Sequence, residues 1–291
     1  MSAAGVSPVH ERVRLQGLAC HDLLLPSGDR VRVAEHGAQV LSWMAGGRER
    51  LYLSPIAVLD GRVAVRGGIP VCWPQFSDRG PLPRHGWLRQ SPWRFLDAQR
   101  DDASPSLRFE VDPAAVRPAG VDWPHDCRVT LAVSLSPGAL TLGVSVHNRG
   151  TDVLRFTGAL HTYLALDDAD TATVSGWSGD GASGWDAVRG QACAVRPRLG
   201  LRGEIDRILP AAQGPLCLED GAHRLTLGQS GWADTVVWNP GAGKCAALSD
   251  MPTGDERRMA CVEAAQVVHP IEVAPGAVWT GHQRLDIGPR G

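Results

Sequence analysis

At 291 residues, with 43% hydrophobic and 21% charged side chains, the chain has the composition of a globular protein with a sizeable core, far from the disordered range. Large β-sandwiches and barrels run to roughly 200 to 250 residues as one domain, so a single domain over residues 1–291 is expected. A formal net charge of -2 supplies no overall field for nucleic acid or an anionic membrane, so any anion recognition must come from a local cluster.

The opening residues, MSAAGVSPVHERVRLQG, have no basic segment leading into an apolar one, and no apolar stretch approaches the ~20 residues a membrane span needs. The expectation is a cytoplasmic chain without a signal peptide. From Arg66 to Phe95 glycine and proline are dense enough to specify a fixed, non-repetitive path, the kind of loop that carries binding groups on a rigid sheet. The segments from Val129 to Leu135 and from Leu140 to Val146 alternate apolar and polar residues, with Ser136-Pro137-Gly138-Ala139 between them, which predicts a β-hairpin with one buried face.

The run from Val153 to Leu166 alternates as well. As a strand it puts Leu154, Phe156, Leu160, Leu164 and Leu166 on one face, and Arg155, Thr157, His161 and Tyr163 on the other. The stretch from Gly176 to Arg202 is expected to be a long surface excursion between strands. No segment has apolar spacing sustained enough for a core helix, so the predicted class is all-β, with antiparallel sheets and few short helices.

Between Gly61 and Leu96 there are six arginines (Arg62, Arg66, Arg79, Arg84, Arg89 and Arg94) against one acid, Asp78. Their planar donor forks suit phosphate or carboxylate oxygens, and they would equally serve by pairing with acids elsewhere; spacing leaves both open. Trp73, Trp87 and Trp93 in the same segment are either an apolar wall for a sugar or core residues. A histidine and a carboxylate can divide acid and base roles, and His85, His161 and Glu263 are candidates.

Seven scattered cysteines never form a CxxC pair and are expected to be reduced core residues. No HxxxH, HExxH or paired Cys/His spacing occurs, so no metal is expected. The GxSxG and GxxxxGK[ST] patterns are also missing, which argues against serine hydrolase and nucleotide triphosphatase chemistry.

Six segments together carry a family resemblance: RGGIPVCWPQF (from Arg66), LPRHGWLR (from Leu82), ALHTYL (from Ala159), EIDRI (from Glu204), VVWNPG (from Val236) and MACVEAA (from Met259). They lie in order across some two thirds of the chain. The chain resembles the glucose-6-phosphate 1-epimerase (hexose-6-phosphate mutarotase) branch of the aldose 1-epimerase superfamily.

That resemblance implies a galactose mutarotase-like β-supersandwich with a concave active site. It also implies His161 as general acid toward the ring oxygen and Glu263 as base toward the anomeric hydroxyl. Arg66 and Arg89 then correspond to substrate contacts, with the 6-phosphate as their partner; Asp206 holds hydroxyls and His85 adjoins the sugar. Arg84 stands where the family commonly has glutamine, exchanging a group that donates and accepts for one that only donates. The implied enzyme is a monomer without cofactor, acting on a small hexose phosphate. Two rival readings are a mutarotase of unphosphorylated aldoses and a non-catalytic carbohydrate-binding protein.

Overall fold

The structure, a computed structural model, describes residues 9–99, 101 and 104–287. Residues 1–8, on which the expectation of no signal peptide partly rests, lie outside the described residues.

Alternation decides the strand Cys127–Ser136: Cys127, Val129, Leu131, Val133 and Leu135 share one face and all are fully buried. It pairs antiparallel with Ala139–Asn148 in unbroken register from Asn148↔Cys127 to Ala139↔Ser136. Pro137 and Gly138 alone make the turn, Gly138 taking a φ of 73°. The predicted hairpin is present, each strand lengthened to ten residues.

Strands of the described residues form three antiparallel sheets. A five-stranded meander runs from Val9–Leu15 to Arg48–Glu49. A nine-stranded sheet contains the hairpin, flanked by Val278–Ile287. The eight-stranded sheet runs in the order Gln191–Ala194, Ser183–Asp186, Glu204–Pro210, Asp234–Pro240, Met259–Val273, Leu154–Leu160, Val71–Cys72, and Tyr163–Ala165 also pairs with Met259–Val273. Helix is confined, among the described residues, to Gly241–Ala247 and two three-residue turns. None of it is long and apolar enough to cross a membrane.

The two larger sheets bury one face each in a common core. Leu131 and Leu142 of the nine-stranded sheet fall in one cluster with Leu160 and Val262 of the eight-stranded sheet. Phe156 and Trp279 meet edge to face across it at 5.3 Å. Trp73, Trp87 and Trp93 belong to this core, so none of them is a sugar wall. All seven cysteines are free thiols, five of them buried.

The other face of the eight-stranded sheet is left to build a cavity, and the Val153–Leu166 run shows how. Its register against Met259–Val273 shifts between Phe156 and Gly158, and strand pairing lapses at His161 and Thr162. The alternation survives both irregularities. Leu154, Phe156, Leu160 and Leu164 are buried in the core, whereas His161 and Tyr163 line the cavity.

The stretch from Gly176 to Arg202 is more ordered than a surface excursion. Ser183–Asp186 and Gln191–Ala194 form a hairpin at one edge of the eight-stranded sheet, and Arg198–Gly200 pairs at the edge of the nine-stranded one. It is therefore a crossing between sheets.

One glycine fixes the loop that reaches over the cavity. Trp87 N–H donates to the Trp73 carbonyl at 3.1 Å, and Gly86 between them has a φ of 65°. A Cβ on Gly86 would lie 1.9 Å from that carbonyl oxygen. Gly86→Ala should therefore lower stability by about 3 kcal/mol or more in urea denaturation; a change below about 1 kcal/mol would show that the loop can relax without cost.

Candidate active site

Register across the eight-stranded sheet lays out the floor of a cavity of about 570 Å³. Directly paired residues share a face. One row across three strands is Ile208, Val236 and Glu263; the next is Asp206, Trp238, Cys261 and, through Tyr163–Ala165, Tyr163. His161 joins them because its N–H donates to the Pro70 carbonyl at 2.9 Å and Tyr163 N–H donates to that of Gly68 at the same distance. Thus the RGGIP segment is clamped beside the histidine.

His161 Nδ1 lies 3.3 Å from Glu263 Oε1, with the two side chains 9% and 1% exposed. The approach lacks hydrogen-bond alignment: His161 Nδ1 and Glu263 Oε2 are both buried polar atoms without a partner. Burial, reinforced by His85, Arg89 and Arg66, holds His161 well below the usual histidine value. Burial, with Asp206 adding to it and Arg89 opposing, holds Glu263 well above the usual carboxylate value. Both shifts disfavour the charged forms, so burial works against an ion pair at this contact.

Behind this pair, Gln283 of the nine-stranded sheet reaches across the core. The Thr162 hydroxyl donates to its Oε1 at 2.5 Å, and its Nε2 donates to the Val262 carbonyl at 3.0 Å. Thr162 and Val262 are the chain neighbours of His161 and Glu263, so one amide fixes the backbone under both.

His85, at a φ of 61°, faces His161 with ring centroids 5.5 Å apart. Burial, followed by Arg89, Arg84 and Arg66, pushes it down to about 3. The Ser77 N–H donates to its Nδ1 at 3.3 Å, which leaves the proton on Nε2 as a neutral donor.

The arginine cluster divides. Arg62 and Arg94 pair with Asp60 and Glu110 and take no part in the cavity. Arg66, Arg79, Arg84 and Arg89 line it, together with Lys244. Arg66 donates to Asp250 at 3.2 Å and to the Tyr163 hydroxyl at 3.1 Å, and Lys244 sits 2.7 Å from Glu204. Among the described residues, Arg79, Arg84 and Arg89 have no carboxylate in ion-pair reach, and the Arg89 Nε is buried without a partner. Burial raises the Asp206 carboxyl, against the pull of Lys244, Arg79 and Arg84.

All seven residues singled out in the sequence, His161, Glu263, Arg66, Arg84, His85, Arg89 and Asp206, line this one cavity. Sequence reasoning did not single out Trp238, Lys244 or Gln283; the first lay in view within VVWNPG, and nothing in the sequence pairs Gln283 with residues so far away. His161, Cys261 and Glu263 also bring one possible metal-ligand atom each within 4.8 Å of one another, a set that no sequence spacing could reveal. The same Arg89 and Arg66 field that disfavours a proton on His161 acts against a cation there.

The antiparallel sandwich thus carries a buried imidazole–carboxyl pair in a cavity that arginines make cationic. The chain belongs to the aldose 1-epimerase family, whose profile matches residues 24–286. A protein of Cenchrus ciliaris named "Putative glucose-6-phosphate 1-epimerase" is 33% identical over 268 residues, 87% of this chain and 80% of that one. A crystal structure from Salmonella typhimurium, described as a "putative mutarotase", is 25% identical with a TM-score of 0.86, covering 97% of this chain and 94% of that one. A galactose mutarotase-like protein from Clostridium acetobutylicum, at 15% identity and a TM-score of 0.75 over 97% of this chain and 99% of that one, shares the fold. The expected supersandwich is confirmed, and the chain is an isomerase of the mutarotase type.

The Gln283 bridge generates a test of the site's foundation. Gln283→Leu removes the Nε2 donor from the Val262 carbonyl and leaves the Thr162 hydroxyl only its longer bond to the Leu160 carbonyl at 3.4 Å, and should lower stability by about 1 to 3 kcal/mol. An unchanged denaturation midpoint would show that the bridge does not hold the pair in place.

Proposed function

We propose that this protein interconverts the α and β anomers of a hexose 6-phosphate, with glucose 6-phosphate the first substrate to try. The observation that carries this is the adjacency of the buried His161–Glu263 pair to arginines with no carboxylate partner among the described residues. An acid/base pair alone suits any reducing sugar. Unpaired guanidinium groups beside it favour one that carries an anion.

Ring opening needs one proton removed and one supplied. Glu263, as carboxylate, takes the proton of the C1 hydroxyl; the C1–O5 bond breaks as C1=O forms; His161, as imidazolium, protonates O5. The C1–C2 bond of the aldehyde then rotates, and the reversed transfers close the ring on the other face. Opening leaves a neutral imidazole and a protonated carboxyl, the state that burial favours in the free site. Moving one proton from the carboxyl to the imidazole, once substrate binding aligns the 3.3 Å contact, produces the pair that starts the reaction.

A phosphate dianion near Arg89 and Arg66 favours that shift, because it offsets the positive field that adds to burial in lowering His161. Arg89, with no acid of its own, is the principal phosphate ligand; Arg66 adds its charge from a position fixed by Asp250 and Tyr163. The His85 Nε2 proton, Arg84 and the Asp206 carboxyl face the sugar hydroxyls. No metal, nucleotide or covalent intermediate enters these steps. The chain works as one domain in this scheme, since side chains from all three sheets share one buried cluster.

The test is anomer exchange by NMR saturation transfer, with EDTA present and free glucose as the control. Accelerated exchange of glucose 6-phosphate but not glucose is expected; equal acceleration of both would assign the protein to unphosphorylated aldoses. His161→Ala and Glu263→Gln should each slow exchange by roughly 10² to 10⁴-fold. Wild-type rates in either variant would remove that residue from the mechanism. Arg89→Ala should raise KM for the phosphate ester at least about tenfold and should not lower any residual activity on glucose, consistent with losing a charge-assisted hydrogen bond to the phosphate alone. Equal losses on both sugars would make Arg89 structural.

A further inference from the structure

The row of side chains that floors the cavity does not end at Ile208. Trp185, on Ser183–Asp186, is the register partner of Ile208, which is the partner of Val236, which is the partner of Glu263. Its indole therefore leaves the sheet on the cavity side, three strands from Glu263, or roughly 14 Å at ~4.8 Å per strand. Gly184 beside it faces the other way: a Cβ there would meet Leu209, a core residue, at 2.6 Å. Ala187, two residues on, lines the cavity and donates its N–H to the Asp206 carbonyl at 2.8 Å.

Lone exposed apolar side chains are ordinary on protein surfaces. Trp185 differs in its position and its company. Of the ten tryptophans it alone is exposed, at 39%, and among the described residues its ring has neither a hydrogen bond nor an aromatic neighbour. Val188, 43% exposed, follows in the same hairpin. The row of Val236 and Ile208, which lines the cavity, thus continues one strand further to an uncovered indole beyond the cavity's own lining.

We propose that Trp185 is the platform of a second sugar subsite, so that the enzyme also accepts a reducing disaccharide whose reducing ring is the hexose 6-phosphate. The C–H bonds on a pyranose face are polarised by their oxygens and rest favourably on the electron-rich face of an indole. C4 lies across the ring from C1. With the C1 hydroxyl at Glu263, a ring linked through O4 extends along the row toward Trp185, passing Asp206 and Lys244 as hydroxyl partners. This inference rests on the proposed acid/base roles, and its test separates the two.

The probe is 4-O-α-D-glucosyl-D-glucose 6-phosphate with the phosphate on the reducing ring, compared with glucose 6-phosphate by saturation transfer. Wild-type protein should exchange both. Trp185→Ala should raise KM for the disaccharide ester about tenfold while keeping glucose 6-phosphate within twofold, and Trp185→Phe should recover most of the loss. Exchange of glucose 6-phosphate alone, or equal effects of Trp185→Ala on both sugars, overturns the second subsite and leaves the first intact. No exchange of either sugar overturns both.

Discussion

Everything in this molecule's site depends on a histidine and a carboxyl buried together in a field set by arginines. Charged, each would demand several kcal/mol of desolvation; they sit 3.3 Å apart, and burial shifts both toward their neutral forms. Burial pushes His161 down and Glu263 up, which favours the proton on the carboxyl. In the proposed reaction the substrate's own charge and hydroxyls reverse that preference, which ties catalysis to a correctly anchored anion. On that proposal, a sugar without the phosphate would leave the arginine field, and the burial it reinforces, acting against a proton on the imidazole.

Holding such a pair takes more than the strands that bear it. Thr162 and Val262 point into the core between the sheets, where Gln283 satisfies both, while their neighbours point into the cavity. The loop that brings His85 and Arg89 overhead is closed by a backbone contact that only a glycine at position 86 permits. Arg66 is held from two sides, by Asp250 and by the hydroxyl of Tyr163, whose ring stacks on His161 at 4.8 Å. Rigid parts from both large sheets thus converge on a few ångströms of chemistry.

Much of this was legible in the sequence. The alternation in Cys127–Ser136 and Ala139–Asn148 predicted the hairpin because one face of that sheet is buried throughout and the turn is short. The parity of the Val153–Leu166 run placed His161 on the cavity side, and it did so despite the register shift and the lapse in pairing, because side-chain direction follows local backbone rather than the partner strand. The motifs located seven cavity residues. What stayed hidden depends on distance through space. Whether an arginine is free or paired turns on Asp60, Glu110 and Asp250, and only the fold shows that Arg79, Arg84 and Arg89 have no carboxylate partner among the described residues. Tryptophans read as a possible sugar wall proved to be core, and Trp238 took their place beside the site. The clustering of Cys261 with His161 and Glu263, like the span from Gln283, joins positions that no short pattern connects.

The most direct test of the proton account is the ionisation of His161 itself, followed by the ¹⁵N shifts of its imidazole at neutral pH. The comparison is between free protein and protein saturated with 1,5-anhydroglucitol 6-phosphate, which carries the anion but cannot open its ring. A neutral imidazole in the free protein that gains a proton on binding is the predicted result. An imidazolium already present without ligand, or a neutral ring unmoved by the phosphate, would contradict it.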